Sequence, residues 1–164
     1  SNFERFNFAS KLISLTDKLN LQLDIKVHPA EWKLSTIFFK NLVKNSLLKN
    51  KPKILLDGSI ERIMKNYGLI ILDIIPTRVI NFALYHDMQV VLYVPKDYIL
   101  NETSFRDLEK RIHIVRSNNE LEQVLQKFYE GTLAKKSCPA FDKKYLRDLS
   151  HEEFIEETFK IIVS

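Results

Sequence analysis

The amino-acid sequence predicts an α/β protein, a three-layer α/β/α sandwich with a mainly parallel sheet of about five strands. Segments with strand character alternate along the chain with segments of helical periodicity. The strand segments are nearly all apolar, as expected for strands that helices cover on both faces. These two observations favour a parallel sheet with helices above and below it.

In the first half of the chain, two helices and two strands are predicted in alternation. Apolar residues at helical spacing predict a helix over 3–19, and a short β-rich run stopped by Pro29 predicts a strand over 21–27. A long helical pattern follows over 30–49, in a region that Pro52 ends. The run 53–56 then predicts a strand that stops at Asp57 and Gly58.

In the second half, Ser59 is placed to cap a short helix over 59–66. Apolar runs predict strands over 69–74, 89–94 and 111–115, separated by helical patterns over 77–86 and 102–110. A helix that starts at 117–120 runs to about Tyr129 and is ended by Gly131. The tail over 135–164 is predicted to hold two more helical segments, the last over 151–164.

Composition excludes several classes of protein. The 164 residues suffice for one domain with a substantial core. The three glycines are too far apart to form a Gly-rich dinucleotide or P-loop motif, and the single cysteine, Cys138, excludes an internal disulfide and a thiolate metal cluster. A reducing compartment is expected. With no membrane-spanning run and no signal peptide, we expect a cytoplasmic protein, with peripheral association at the inner face of the membrane left open.

The formal net charge of +4 comes from 25 Lys and Arg against 21 Asp and Glu, and the excess falls in two clusters. The clusters contain Lys33, Lys40, Lys44, Lys49, Lys51 and Lys53, and then Lys135, Lys136, Lys143 and Lys144. A solvated helix face is the first interpretation, and an anionic ligand or membrane surface is the alternative. Nucleic acid is disfavoured, because these residues are not interleaved with aromatic residues or Gly loops.

His28 is the first candidate functional residue, because it stands at the carboxyl end of a predicted strand, directly before Pro29. Functional sites in open parallel sheets lie at such ends, and the proline restrains the histidine to extended backbone. The imidazole could donate to a phosphate oxygen or, when protonated, pair with it. The alternative is a histidine that only finishes the strand and bonds to a loop.

The second candidate is the connection between strand 69–74 and helix 77–86. Asp73 ends the apolar run, and Thr77 opens the helix, where free backbone N–H groups receive phosphate. Arg78 adds a guanidinium suited to phosphate, and Asn81 lies one turn later on the face of Thr77. The alternative is that Thr77 only caps the helix while Arg78 and Asn81 face solvent.

A third strand-to-helix turn, at residues 57–59, is expected to use Ser59 for capping more than for binding. His86, His113 and His151 lie on different elements without metal-ligand spacing, and no Ser-His-Asp or Cys-His set can be assembled. The residues therefore predict neither a metal nor a cofactor, and no catalytic residue in this chain.

The order of these motifs resembles the C-terminal, nucleotide-sugar-binding half of GT-B fold glycosyltransferases, above all the bacterial enzymes of capsular and surface polysaccharide synthesis. IKVHP at 25–29 matches the family's HP motif. Residues 73–77 resemble its D-x-x-S-S/T or D-x-P-S-T motif, with Pro76 in place of a serine or threonine. Asn81 stands where many relatives carry an acidic residue. The likeness covers roughly residues 20–163.

The resemblance implies a single Rossmann-like domain over 1–164, including a helical tail over 135–164, that forms the C-terminal half of a larger protein. The acceptor-binding half, which usually supplies the catalytic base, would be a missing partner, and the chain a metal-independent transferase fragment inactive by itself. A nucleotide-activated sugar would bind at a site formed by His28, Asp73, Thr77, Arg78, Asn81 and Ser59. His28, Thr77 and Arg78 would neutralise its departing phosphate.

A function of another class stays open, namely a non-catalytic α/β module whose basic long helix docks on a partner protein or a membrane surface. Pro76 and Asn81 favour this alternative, whereas the coincidence of the two motifs at two strand ends favours donor binding. A receiver or flavodoxin-like module is disfavoured, because neither acidic pairs nor a Ser/Thr-rich phosphate loop follows the first strand.

Overall fold

The computed structural model of the chain describes residues 2–27, 32–45, 47–73, 77–95 and 102–146. The chain divides into two compact units. Unit 1 comprises residues 1–60 and 118–133, and unit 2 comprises residues 61–117 and 134–164. Each unit is described by itself.

Helices and strands alternate through most of the described part of the chain. The helices there are α1 (Asn2–Lys18), α2 (Trp32–Asn45), α3 (Ile60–Met64), α4 (Thr77–Tyr85), α5 (Glu102–Arg111), α6 (Asn118–Tyr129) and α7 (Pro139–Tyr145). The strands there are β1 (Asp24–Lys26), β2 (Lys53–Leu55), β3 (Ile70–Leu72), β4 (Val90–Tyr93) and β5 (His113–Val115). The predicted elements are confirmed in order and type, and the predicted last helix, over 151–164, lies outside the described residues.

Unit 1 combines a two-stranded parallel sheet with three helices. Strands β1 and β2 pair in parallel, with Ile25 opposite Ile54. Helix α6 packs against α1 and buries Leu121 and Leu125 completely. Helix α2 contacts β2, and its Phe38 stacks on Phe6 of α1 with ring centroids 4.1 Å apart. Because most of the buried side chains of unit 1 belong to α1 and α6, the core of unit 1 lies mainly between these two helices.

Unit 2 is a β-α-β-α-β arrangement. Strands β3, β4 and β5 form a parallel sheet in that order, with α4 connecting the first two along the chain and α5 the last two. Leu92 of the central strand is fully buried, as are Ala83 of α4 and Ile112 before β5. Helix α7 packs on α5. This alternation of strand and helix is the frame that positions the candidate site.

The prediction of one five-stranded sheet is wrong, because the five strands form two parallel sheets of two and three strands. The expectation that every strand is buried on both faces is also wrong, since β1 is half-buried throughout and Lys53 of β2 is exposed. Strand β4 fits the expectation, with three of its four residues buried. The physical reason is that β1 and β2 each have only one paired strand in the described part of the chain, and a lysine occupies one end of each strand.

No helix in the described ranges has both the length and the apolar character needed to cross a bilayer.

Candidate functional site

The carboxyl ends of the three strands of unit 2 lie at one edge of the sheet. The register pairs Leu72 with Leu92 and Tyr93 with Val115, so β3, β4 and β5 end at nearly the same level. Asp73 directly follows β3, and Arg116 directly follows β5. This edge, which we call the carboxyl edge, is where open parallel sheets bind their ligands.

Helix α4 begins at the carboxyl edge, four residues after Asp73, with Thr77 and Arg78 as its first two residues. The backbone N–H groups in the first turn of a helix have no intrahelical acceptor and carry a partial positive charge. The side chains of Thr77 and Arg78 lie outside the described part of the structure. The described backbone thus forms a helix start at which an anion can bind. The sequence adds the hydroxyl of Thr77 and the guanidinium of Arg78 to this first turn.

Asn81 is buried, with only 9% of its surface exposed, although it belongs to the predicted site. The alternative that Asn81 faces solvent is therefore wrong. It lies four residues after Thr77, and side chains so spaced share one face and lean toward the helix start. A buried carboxamide needs hydrogen-bond partners, and it can both donate and accept. Asn81 therefore places a neutral polar group on the face of α4 that carries Thr77.

Arg116 is a candidate that the sequence reasoning missed. Its guanidinium carbon lies 4.8 Å from the ring centroid of Phe105 on α5, a cation–π distance that holds the side chain close to that helix. A basic residue directly after the apolar run 112–115 was the available signal. With Arg78, it gives the carboxyl edge of unit 2 two arginines.

Unit 1 has its own strand-to-helix turn at residues 57–59. The Lys26 ammonium donates to the backbone carbonyls of Leu56 at 2.7 Å and Asp57 at 3.2 Å, and so holds the end of β2 against β1. Gly58 has a φ of 83°, a left-handed conformation that glycine adopts without steric cost. Ser59 is exposed and directly precedes α3. Lys26 was not singled out in the sequence, because it falls within a predicted strand.

The predicted site residues are thus distributed unevenly. Asp73, Thr77, Arg78 and Asn81 lie along one strand-to-helix connection of unit 2, and Ser59 belongs to unit 1. His28 lies outside the described residues, so its role stays a prediction.

The opposite, amino-terminal edge of the unit 2 sheet is organised around a buried arginine. Arg111, 3% exposed, donates from Nε to Asp142 Oδ1 at 3.0 Å and from Nη1 to the Lys136 carbonyl at 3.0 Å. Its Nη2 donates to Asp87 Oδ1 at 3.0 Å and to the Leu84 carbonyl at 3.3 Å. These acceptors come from three separate segments, so Arg111 ties the end of α4 to the α7 region.

Asp87 and an open groove lie at this amino-terminal edge. A hydrogen bond from Lys135 Nζ lowers the pKa of the exposed Asp87 carboxyl, and the charges of Lys135 and Arg111 act in the same direction. The groove, of about 500 Å³, is lined by residues before β3 and β4, including Gly68 and Gln89, and by Lys135. Since Asp87 is already paired with two cations, the geometry here indicates a structural role.

His86 and His113 each contact a neighbouring group of unit 2. His113 Nε2 lies 3.0 Å from the Ala134 carbonyl, and His86 packs on Phe82 with ring centroids 4.3 Å apart. His151 lies outside the described residues. In the described ranges, no group of three or more His, Cys, Asp or Glu side chains is arranged to hold a metal ion.

Comparison of the chain with protein-family models, with curated proteins and with solved structures gives no match.

Proposed function

We propose that the carboxyl edge of unit 2 binds the phosphate of a nucleotide-activated sugar, and that the chain is the donor-binding part of a glycosyltransferase of surface polysaccharide synthesis. The observation that carries this proposal is the start of α4 at the carboxyl edge of a three-stranded parallel sheet, with Thr77 and Arg78 in its first turn. Phosphate binds at such helix starts, because free N–H groups and the helix dipole favour an anion there.

The charges at this edge support a phosphate as the bound group. Arg78 and Arg116 supply two permanently charged side chains, and a guanidinium can donate two parallel hydrogen bonds to phosphate oxygens. Asp73 at the same edge suits a hydroxyl donor, as a ribose or a sugar offers. A diphosphate leaving a sugar gains negative charge, which the two arginines would stabilise electrostatically.

Asn81 bears on where the phosphate of the donor lies. A buried carboxamide adds no charge beside the phosphate and can donate and accept with a neutral group. An acidic residue at this position would repel the phosphate, whereas Asn81 does not. We therefore expect the donor's phosphate to lie closer to the start of α4 than it would beside a carboxylate.

The test is nucleotide binding by the whole chain. CMP, CDP, UDP and GDP are screened by thermal shift, since a ligand that binds only the native state raises its apparent stability. Calorimetry then measures the affinity of the best nucleotide for the wild type and for Arg78→Ala and Arg116→Ala. Each substitution is expected to weaken binding about 10- to 150-fold, the equivalent of about 1.5–3 kcal/mol for a hydrogen bond to a charged group.

Lys65→Ala is the matched control, because it also removes one positive charge from unit 2 but lies at the amino-terminal edge, beside Gly68 and Gln89. Its affinity for the nucleotide should equal that of the wild type. Equal losses in Lys65→Ala and Arg78→Ala would mean that net charge alone attracts the nucleotide. Absence of binding by all four nucleotides would overturn the proposal.

A further inference from the structure

In one stretch of unit 1, every charged residue is basic. From Trp32 to Leu56 the chain contains six lysines and neither aspartate nor glutamate. Since six positive charges exceed the formal net charge of +4, the remainder of the chain is net acidic. Such an asymmetry concentrates the attraction for an anionic partner in this one stretch.

Helix α2 presents part of this charge on one exposed face. Ile37, Lys40, Asn41 and Lys44 follow a spacing of three and four residues, which places them on the same side of the helix, and all four are exposed. Ile37 is 59% exposed, one turn before Lys40 on this face and away from the Phe38 side that packs on Phe6. The face therefore carries two positive charges beside an apolar side chain that is exposed to water.

The segment after α2 continues the same pattern. Leu47 is fully exposed, and Lys49, Lys51 and Lys53 are exposed as well. The segment is nevertheless anchored: the backbone N–H of Asn50 donates to Asp17 Oδ1 at 2.7 Å, and its Nδ2 donates to Asn20 Oδ1 at 2.7 Å. Pro52, which follows, is buried. A leucine held in water by an anchored segment loses the benefit of burial, unless something outside the chain covers it.

We propose that this surface docks unit 1 on a membrane that contains anionic lipids. We call it the lysine surface and define it by Ile37, Lys40, Lys44, Leu47, Lys49 and Lys51. The lysines lie at the headgroups, where each contributes to attraction by the anionic leaflet, and Leu47 and Ile37 enter the boundary between headgroups and acyl chains.

The two apolar side chains favour a bilayer over other polyanions. Nucleic acid and acidic polysaccharide would pair with the lysines but offer no apolar medium for Leu47. Asp17, the carboxylate next to the anchored segment, already accepts a hydrogen bond from Asn50 and does not neutralise a neighbouring lysine by any contact seen in the described residues. This proposal is independent of the donor site in unit 2.

The test is co-sedimentation of the whole chain with vesicles of phosphatidylcholine alone and of phosphatidylcholine with phosphatidylserine. Binding is expected only to the anionic vesicles and should fall as salt rises, since exposed charges are screened. The double variant Lys40→Gln/Lys44→Gln should weaken binding about 30-fold, from about fivefold for each lysine near an anionic surface.

The matched control is Lys11→Gln/Lys18→Gln on α1. It removes the same charge from another part of unit 1, where both lysines lie close to Glu122. Its vesicle binding should equal that of the wild type. Equal weakening in the two double variants would show that net charge alone drives binding, and absence of binding to anionic vesicles would likewise overturn the proposal.

Leu47→Ser distinguishes a bilayer from a soluble polyanion or a second copy of the chain as the partner of the lysine surface. It should weaken vesicle binding about tenfold, because burial of a leucine side chain is lost, and should leave the salt dependence unchanged. If Leu47→Ser bound vesicles as tightly as the wild type, the lysine surface would attract any polyanion by charge alone. This result would overturn the membrane assignment. A lipid-free dimer that Leu47→Ser dissociates, measured by sedimentation, would assign the surface to a second copy of the chain instead.

Discussion

The two parallel sheets of this protein have strands of similar length but very different surroundings. In unit 2, Val90, Val91 and Leu92 of β4 are buried, and β4 has a paired strand on each side. In unit 1, β1 and β2 pair only with each other in the described part of the chain, and no residue of either strand is fully buried. Paired strands on both sides cover both edges of β4, whereas β1 and β2 each have a paired strand on one side only in the described part of the chain.

The largest expected effect follows from this difference in burial. Leu92→Ala should lower the free energy of unfolding by about 4 kcal/mol, within the range for a fully buried leucine. It leaves a cavity, because the closely packed side chains around it can move only partly into the space. Leu55→Ala in β2 makes the same chemical change at a half-buried position and should cost about 1 kcal/mol. Urea denaturation measures both. Equal losses would contradict the contrast between the sheets.

Loss of an ionic contact should likewise lower the free energy of unfolding more in unit 2 than in unit 1. Arg111→Met should cost about 3 kcal/mol, because it leaves the Leu84 and Lys136 carbonyls without their donor and unpairs Asp142 from a buried cation. Lys18→Met breaks an exposed pair with Glu122 in unit 1 and should cost about 1 kcal/mol or less. Thermal and urea unfolding of both variants check this. A loss below about 1 kcal/mol for Arg111→Met would show that the network adds little stability.

A backbone effect should be intermediate and confined to unit 1. Gly131 follows the end of α6 with a φ of 70°, and its N–H donates to the Phe128 carbonyl at 3.0 Å. Gly131→Ala should cost about 1 kcal/mol, through left-handed backbone strain alone, since an added Cβ meets nothing within 4 Å. Gly131→Asn is the control and should cost less, because asparagine tolerates this conformation. A neutral Gly131→Ala would mean that the backbone relaxes to negative φ.

The smallest effect is a pH dependence in unit 2. The folded pKa of Asp87 is lowered, so its stabilisation is present above the unfolded value of about 3.9 and is lost as the pH falls through the folded value. Asp87→Asn should remove that contribution and flatten the loss of stability in acid below about pH 4. Asparagine suits the site, because residue 87 has a φ of 53°. Urea unfolding at several pH values measures it, and identical profiles for variant and wild type would contradict it.

Local sequence determined which segments form helices and strands. The apolar run before Asp73 became β3, the pattern from Thr77 became α4, and Gly131 follows the end of α6, as predicted. Each of these outcomes depends on residues within a few positions of one another. Helical periodicity, turn chemistry and the preference of glycine for positive φ are local properties, so they can be read along the chain.

Tertiary structure alone decided which segments meet. The pairing of β2 with β1 only, the burial of Asn81 and the placement of Arg116 over Phe105 depend on contacts between elements. Arg111 shows why such contacts could not be predicted. Its partners Asp87 and Asp142 lie 24 and 31 residues away in sequence, and the residues next to Arg111 do not indicate either partner. Periodicity predicts a strand or a helix, but the neighbour of each element is chosen by packing of distant residues, and so by the fold.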